Sequence, residues 1–259
     1  MLIPESKTPM FIPYGYASIG KTMLIQRLMR CLRNYGYMCR PEVTFSTNPI
    51  YSQICEQYIE EAFKGNVAAG TTETILFSVL DQRGMKVCNL VDMAGEYQYD
   101  INNPHVFTSP EMLQLIHTPN PKIWGFVIEY NNSLSIQQRQ GYVHSIRNFA
   151  LNALTAKDKV IIIYNKVDLT PYSIPGGKTN WRGLFDSADS TFPDIFNPFE
   201  ETNKFKRFLK GRYNFKLLPF MSGLSHKGID QYGNEYISFV DGPDEYPKQL
   251  WHNIVKCLR

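Results

Sequence analysis

The chain has 259 residues, 27 of them Lys or Arg and 24 Asp or Glu, giving a formal net charge of +3 and a pI near 8.5. A balance this mild gives no argument for nucleic acid, no run approaches the ~18 consecutive apolar residues of a membrane-crossing helix, and Met1 to Lys7 lack the apolar core of a secretion signal. Cys31, Cys39, Cys55, Cys88 and Cys257 form no metal-spaced pair and are odd in number, which argues against a disulfide framework and leads us to expect a cytoplasmic setting, with no lipidation signal at either terminus.

Met10-Phe11-Ile12 reads as a short apolar strand, with Pro13 discordant but placed where strand pairing finishes. Gly15-Tyr16-Ala17-Ser18-Ile19-Gly20-Lys21-Thr22 then matches G-x-x-x-x-G-K-[ST] at every fixed position, and Met23 to Arg30 continue with helical periodicity. In that strand–loop–helix context the glycines let backbone N–H groups turn inward around phosphate oxygens at the positive end of a helix. Lys21 is placed to reach β- and γ-phosphates, and the Thr22 hydroxyl to ligate Mg²⁺.

Further on, Asn48-Pro49 opens a helix that Gly65 closes. Gly70-Thr71-Thr72-Glu73-Thr74 leads into the strand Ile75 to Leu80. A Thr at that point can place its hydroxyl on Mg²⁺ and its N–H on a γ-phosphate; Thr72 is preferred over Thr71. The strand Val87 to Val91 ends in Asp92, which can hold Mg²⁺ through a water, and Gly95 follows three residues later with no side chain to block a phosphate.

The apolar run Val160 to Tyr164 delivers Asn165-Lys166-Val167-Asp168 to the C-terminal edge of a strand, where open α/β sheets bind ligands. A carboxylate there accepts from both N1–H and the exocyclic amine of guanine, a pair of donors that adenine lacks. Asn165 has the job of tying neighbouring loops, and the Lys166 stem that of lying on the base. Residues 170–198, rich in Pro, Gly, Ser and Asp, read as an irregular loop. A helix capped at Asn197-Pro198 is expected next, its Phe199, Phe205, Phe208 and Leu209 on the sheet and its Lys204, Lys206, Arg207, Lys210 and Arg212 in water. Phe215 to Phe220 form a strand before Met221-Ser222-Gly223-Leu224, and Tyr236 to Val240 a strand before a helix over Pro247 to Leu258.

From about residue 8 to about residue 228 these elements resemble, in order, the nucleotide-binding motifs of P-loop GTPases of the translation-factor class, the group of Ras-like and Era-like proteins. A more distant resemblance is to bacterial double-GTPase proteins. The resemblance implies an α/β P-loop fold with a mainly parallel central sheet and helices on both faces. It implies one GTPase domain over residues 1–259, with insertions at about 44–70 and about 170–213. Gly15, Ser18, Ile19, Gly20, Lys21, Thr22 and Met23 would hold phosphates and metal; Thr72, Asp92 and Gly95 would sense the γ-phosphate. Asn165, Lys166, Asp168, Ser222 and Gly223 would hold guanine. Mg²⁺ and GTP or GDP are the implied ligands, with an effector or activating protein as partner.

Two positions depart from the Ras-like pattern. Glu96 stands where a Gln orients the attacking water, the nearest Gln being Gln98, and Ala17 stands where a glycine leaves room for a partner's arginine finger, which supplies about 10³–10⁵ in rate. The expectation is therefore a slow GTPase acting as a switch on a partner, with Lys21, Thr72, Gly95 and Glu96 around the reacting phosphate. A GTP-binding scaffold that does not hydrolyse, and an ATP-using P-loop enzyme such as a kinase, remain as alternatives.

Overall fold

The computed structural model describes residues 7–64, 71, 73–99, 109–130, 134–174, 178–204, 207–208, 212–229 and 235–258. The phosphate-loop strand β1 (Met10–Tyr14) is buried along its whole length. It runs between β4 (Lys86–Asp92) and β5 (Lys122–Glu129), parallel to both. Beyond β5 come β6 (Lys159–Asn165) and β9 (Lys216–Pro219), also parallel. On the other side β3 (Ile75–Leu80) pairs antiparallel with β4, and the edge strand β2 (Met38–Pro41) antiparallel with β3, giving the order β2-β3-β4-β1-β5-β6-β9. Two small hairpins stand apart from this sheet: β7 (Ser173–Ile174) with β8 (Lys178–Thr179), and β10 (Gly223–Ile229) with β11 (Glu235–Asp241).

The expected α/β fold with a mainly parallel sheet is therefore present. Continuous apolar runs such as Val160-Ile161-Ile162-Ile163-Tyr164 make such strands because both faces are covered. Helix α5 (Ile136–Asn152), opened by a reciprocal capping box between Ser135 and Gln138, packs Phe149 against Trp124 and Phe126 and bonds Ser145 to the Tyr14 hydroxyl. Helix α1 (Lys21–Asn34) packs with α2 (Tyr51–Lys64) and with α7 (Glu245–Cys257). Further helices among the described residues include α3 (Gly95–Gln98), α4 (Pro110–His117) and α6 (Trp181–Thr191). Buried apolar residues join into one cluster that runs from Met10 to Ile254.

Pro13 sits within β1, opposite Gly125 of β5. It is tolerated because the ladder between β1 and β4 ends at Phe11, so no donor is missed on that side. The helix opened near Asn48 is α2, and Gly65 lies outside the described residues.

Two expectations need correction. Residues 170–198 are not an irregular loop throughout, because they hold the β7–β8 hairpin and α6. The Asn180 side chain caps α6 by accepting from Gly183 N at 3.1 Å, and Leu184 and Ala188 are buried along it. Asn197-Pro198 does not cap the basic helix. Those residues form a short 3₁₀ turn, after which Glu200 bridges to Tyr213. Phe199 is buried as expected, but Phe208 is 86% exposed. Phe205, Lys206, Leu209 and Lys210 lie outside the described residues.

The turn after β11 is clamped to α1. Arg27, 2% exposed, donates to Gly242 O at 2.7 Å and Asp244 Oδ1 at 2.5 Å, and pairs with Asp241 at 3.4 Å. Gly242 N in turn donates to Ser222 O at 3.1 Å, so the clamp supports the Ser222 turn. Charge-assisted bonds contribute about 1.5–3 kcal/mol each when a partner is lost. Arg27→Leu is therefore expected to lower the urea-unfolding free energy by about 2 kcal/mol, whereas Arg33→Leu, which removes only a stacking contact on Phe63, should cost about 1 kcal/mol or less. Equal losses in the two variants would contradict the clamp.

Candidate nucleotide site

The loop after β1 wraps around its own lysine. Lys21 is 5% exposed, and its ammonium donates to Gly15 O and Tyr16 O at 2.9 Å each. Burial pulls its pKa down to about 8, with the charges of Asp92 and Glu96 pulling the other way. The entry to the loop is held by Gln98, whose amide accepts from Gly15 N at 3.0 Å and donates to Pro13 O at 2.7 Å. Ser18, at the exposed tip, has a left-handed backbone with φ 63. Gly20, at φ 96, precedes the first turn of α1. Met23 lies in that turn, partly buried.

Three oxygen-bearing side chains meet beside Lys21. Thr22 Oγ1 and Thr71 Oγ1 are 2.6 Å apart, and Thr71 donates to Asp92 Oδ2 at 2.9 Å. Asp92 is fully buried; burial pushes its carboxyl up, opposed by bonds from Thr71 and Tyr58 and by the Lys21 charge. Its Oδ1 is buried with no hydrogen-bond partner. Hydroxyls plus a carboxylate with one open oxygen suit Mg²⁺, which takes few protein oxygens and keeps its waters. Thr72, the threonine preferred from the sequence, lies outside the described residues; its neighbour Thr71 is brought to Thr22 and Asp92.

Gly95 lies against the loop from the opposite side. A Cβ there would stand 2.4 Å from Ala17 N and 2.7 Å from the Tyr16 carbonyl carbon, so only glycine permits this approach. Glu96 follows it on the exposed surface of α3.

The end of the site expected to meet the base is built from β6. Asn165, 2% exposed, donates through Nδ2 to Ile19 O at 2.8 Å, while its Oδ1 has no hydrogen-bond partner. Lys166 takes a left-handed φ of 53 and sends its ammonium to the buried Glu129 carboxylate. Glu129 also accepts from the Tyr16 hydroxyl at 2.9 Å, so one carboxylate joins the base loop to the phosphate loop. Asp168 is half-buried in a short 3₁₀ turn, Val167–Leu169, and burial pushes its carboxyl up. Val167 N bonds Phe220 O at 3.1 Å, which brings the β9 end alongside. Ser222 Oγ there is buried without a partner. Gly223 opens β10 opposite Asp241, where a Cβ would stand 2.2 Å from Val240 O.

Sequence reasoning missed Tyr16, Tyr58, Glu129 and the structural use of Gln98. Each acts across at least 34 residues of chain, through contacts that no local pattern marks. Only Glu129, an acidic residue after the apolar run 123–128 at the C-terminal edge of β5, carried a signal that could have singled it out.

No protein-family model matches the chain, and no curated protein sequence matches it. Similar solved structures include the signal recognition particle receptor SRb with GTP and SRX from Chaetomium thermophilum, 16% identical, covering 96% of this chain and 98% of that one at a TM-score of 0.47. The chloroplast translocon components atToc33 and psToc159 supply another, 11% identical over 97% of this chain and 84% of that one at 0.49. Nucleolar GTP-binding protein 1 of Plasmodium falciparum is 14% identical over 99% and 90%, at 0.42. None reaches a TM-score of 0.5; what defines the site is the geometry of its own loops.

Gly20 tests how tightly those loops meet, because a Cβ there would stand 2.5 Å from Asn165 Nδ2. Gly84, also left-handed at φ 77, would place its Cβ in open space. Gly84→Ala is expected to cost about 1–2 kcal/mol from backbone strain alone. Gly20→Ala should cost about 1–3 kcal/mol more, since it also breaks a buried hydrogen bond. Urea unfolding of the two variants measures the difference, and equal costs would remove the Asn165 contact as a constraint.

Proposed function

We propose that the chain is a single GTP-binding domain that binds Mg²⁺·GTP, hydrolyses it slowly and uses the change to act on a protein partner. The observation that carries this reading is the Asn165–Ile19 bond. It sets a carboxylate suited to guanine, Asp168, beside a loop suited to phosphates, at the C-terminal edge of one sheet. Unpartnered polar atoms lie at both ends, Asp92 Oδ1 towards the phosphates and Asn165 Oδ1 and Ser222 Oγ towards the base. Buried polar atoms without partners are costly, and a polar guest would satisfy them.

In this reading Lys21 leaves Gly15 O and Tyr16 O for the β- and γ-phosphates, whose negative charge favours its protonated form. The backbone N–H groups of Ser18, Ile19, Gly20 and Met23 are the phosphate donors of the loop. Thr22, Thr71 and Asp92 would hold Mg²⁺, which offsets phosphate charge as the bond to the leaving oxygen lengthens. Thr71 takes the sensing role that the sequence had placed on Thr72. Gly95 brings a backbone N–H against the γ-phosphate. Asp168 accepts from N1–H and the exocyclic amine, while the Lys166 stem, anchored by Glu129, lies along the base.

Slow turnover follows from where the candidate water-orienting groups are. Gln98 is 1% exposed, and its amide is used at both ends inside the loop. That leaves Glu96, whose carboxylate would face an anionic phosphate when it approached a water. The same feature supports the second reading, a GTP-binding scaffold that does not hydrolyse.

Thermal unfolding with GDP, GTP and ATP tests the base and then the chemistry. GDP and GTP at 100 times their dissociation constants are expected to stabilise the fold by about 2.7 kcal/mol, with ATP giving no shift. Asp168→Asn should weaken GDP about 10- to 100-fold, matching the loss of charge-assisted bonds of about 1.5–3 kcal/mol. Stabilisation by ATP alone would end the guanine reading. Single-turnover hydrolysis is expected at or below about 10⁻³ s⁻¹ without a partner. A much faster rate would contradict the role given to Gln98, and no hydrolysis with any partner would favour the scaffold.

A further inference from the structure

Helix α2 belongs to the segment inserted between the phosphate loop and the strand that leads to Asp92, and it reaches the centre of the site. Its Tyr58 hydroxyl donates to Asp92 Oδ2 at 2.9 Å. Tyr58 is 6% exposed, its ring tilted against Phe77 at 5.0 Å. Asp92 Oδ2 thus receives two hydrogen bonds, from Tyr58 and Thr71, while Oδ1 receives none.

We propose that Tyr58 is a positioning residue for the metal site. It fixes Asp92 through Oδ2 and keeps Oδ1 for a water of Mg²⁺, and it thereby makes the inserted helix a sensor of metal and nucleotide. This rests on the Mg²⁺·GTP reading above.

The rest of the helix has the attachments such a sensor requires. Near its start, Tyr51 accepts from Leu76 N at 3.2 Å, which ties it to β3. Near its end, Ala62 O accepts from Arg30 at 2.7 Å, which ties it to the helix that follows the phosphate loop. Tyr58 lies between these two points. The helix ends at Lys64, and seven positions later the chain arrives at Thr71, whose hydroxyl shares Asp92 Oδ2 with Tyr58. When Thr71 turns to a metal, Tyr58 is left as the remaining donor of that pair. The phenol then decides how Asp92 is oriented and how α2 sits over β3.

A purely structural tyrosine would affect folding and leave the metal dependence alone. Neighbours that orient metal-binding groups cost about 10- to 100-fold in metal affinity when removed. For full-length Tyr58→Phe, binding of a fluorescent GDP analogue should therefore need about tenfold more free Mg²⁺ for half of its Mg²⁺-dependent gain. Its affinity in EDTA should stay within about twofold of wild type. Tyr51→Phe, which removes a phenol from the same helix but not from Asp92, should keep the wild-type Mg²⁺ dependence. In the wild-type protein, amide hydrogen exchange in α2 should slow on adding Mg²⁺ to the GDP complex. Equal Mg²⁺ dependence in wild type and Tyr58→Phe, or α2 exchange indifferent to Mg²⁺, would overturn the role of Tyr58 and leave GTP binding standing. A wild-type chain that binds no guanine nucleotide would overturn both.

Discussion

One close approach decides how the whole site is arranged: the side chain of Asn165 occupies the space that a Cβ on Gly20 would need. β1 and β6 are not neighbours, because β5 lies between them. Two strand spacings are about 9.6 Å, too far for direct backbone pairing. The loop after β1 must therefore come back across the sheet edge, and the Asn165 amide must reach it at Ile19 O. Gly20 meets both conditions at once, through a left-handed backbone and the absence of a side chain. Glu129, at the end of the intervening β5, adds a second tie by taking Tyr16 from one side and Lys166 from the other. The distance between the phosphate end and the base end is thus set by the strand order and held by two side chains.

The held site is under electrostatic tension. Burial alone works against the charged forms of both Lys21 and Asp92, lowering the pKa of the first and raising that of the second. Their mutual attraction recovers part of that cost, and the bonds from Gly15 O, Tyr16 O, Thr71 and Tyr58 recover more. A fold that only needed stability would fill this place with apolar side chains. An anion with a divalent cation relieves both penalties together, since phosphate favours the charged lysine and the cation favours the charged aspartate.

The parts legible in the sequence are those written in contiguous residues. The loop from Gly15 to Thr22, the strands ending in Asp92 and Asn165, and the helix after Asn48 all stand where local pattern places them. Their signals are steric and periodic, so they need no knowledge of the rest of the chain. Local pattern does not distinguish Thr71 from Thr72, because adjacent residues of the same type differ only in which way the backbone turns them; Thr71 meets Thr22 and Asp92, and Thr72 lies outside the described residues. Helix α6 was hidden by its Asp, Ser and Gly content; its burial against Tyr164, through Ser187, is tertiary and overrides propensity. Gln98 stands near the position of a water-orienting glutamine, but its contacts with Pro13 and Gly15 cross more than 80 residues and make it part of the loop's foundation.

That use of Gln98 bears on the proposed hydrolysis. A glutamine that swung out to a water would leave Gly15 N and Pro13 O without their side-chain partner at the root of the phosphate loop. Releasing two buried hydrogen bonds costs about 2–6 kcal/mol, which cancels much of what water positioning could gain. Glu96, on the exposed surface of α3, carries the wrong charge for a site proposed to gather phosphates. In the proposed reading fast hydrolysis would need a group from outside the chain, and Ala17 and Gly95 narrow the way in by packing against each other. In that reading the inserted helix α2 would add control from within, since Tyr58 contacts Asp92 directly. Nucleotide lifetime would then be set by what moves α2 and what reaches past Ala17, more than by the loop proposed to bind the phosphates.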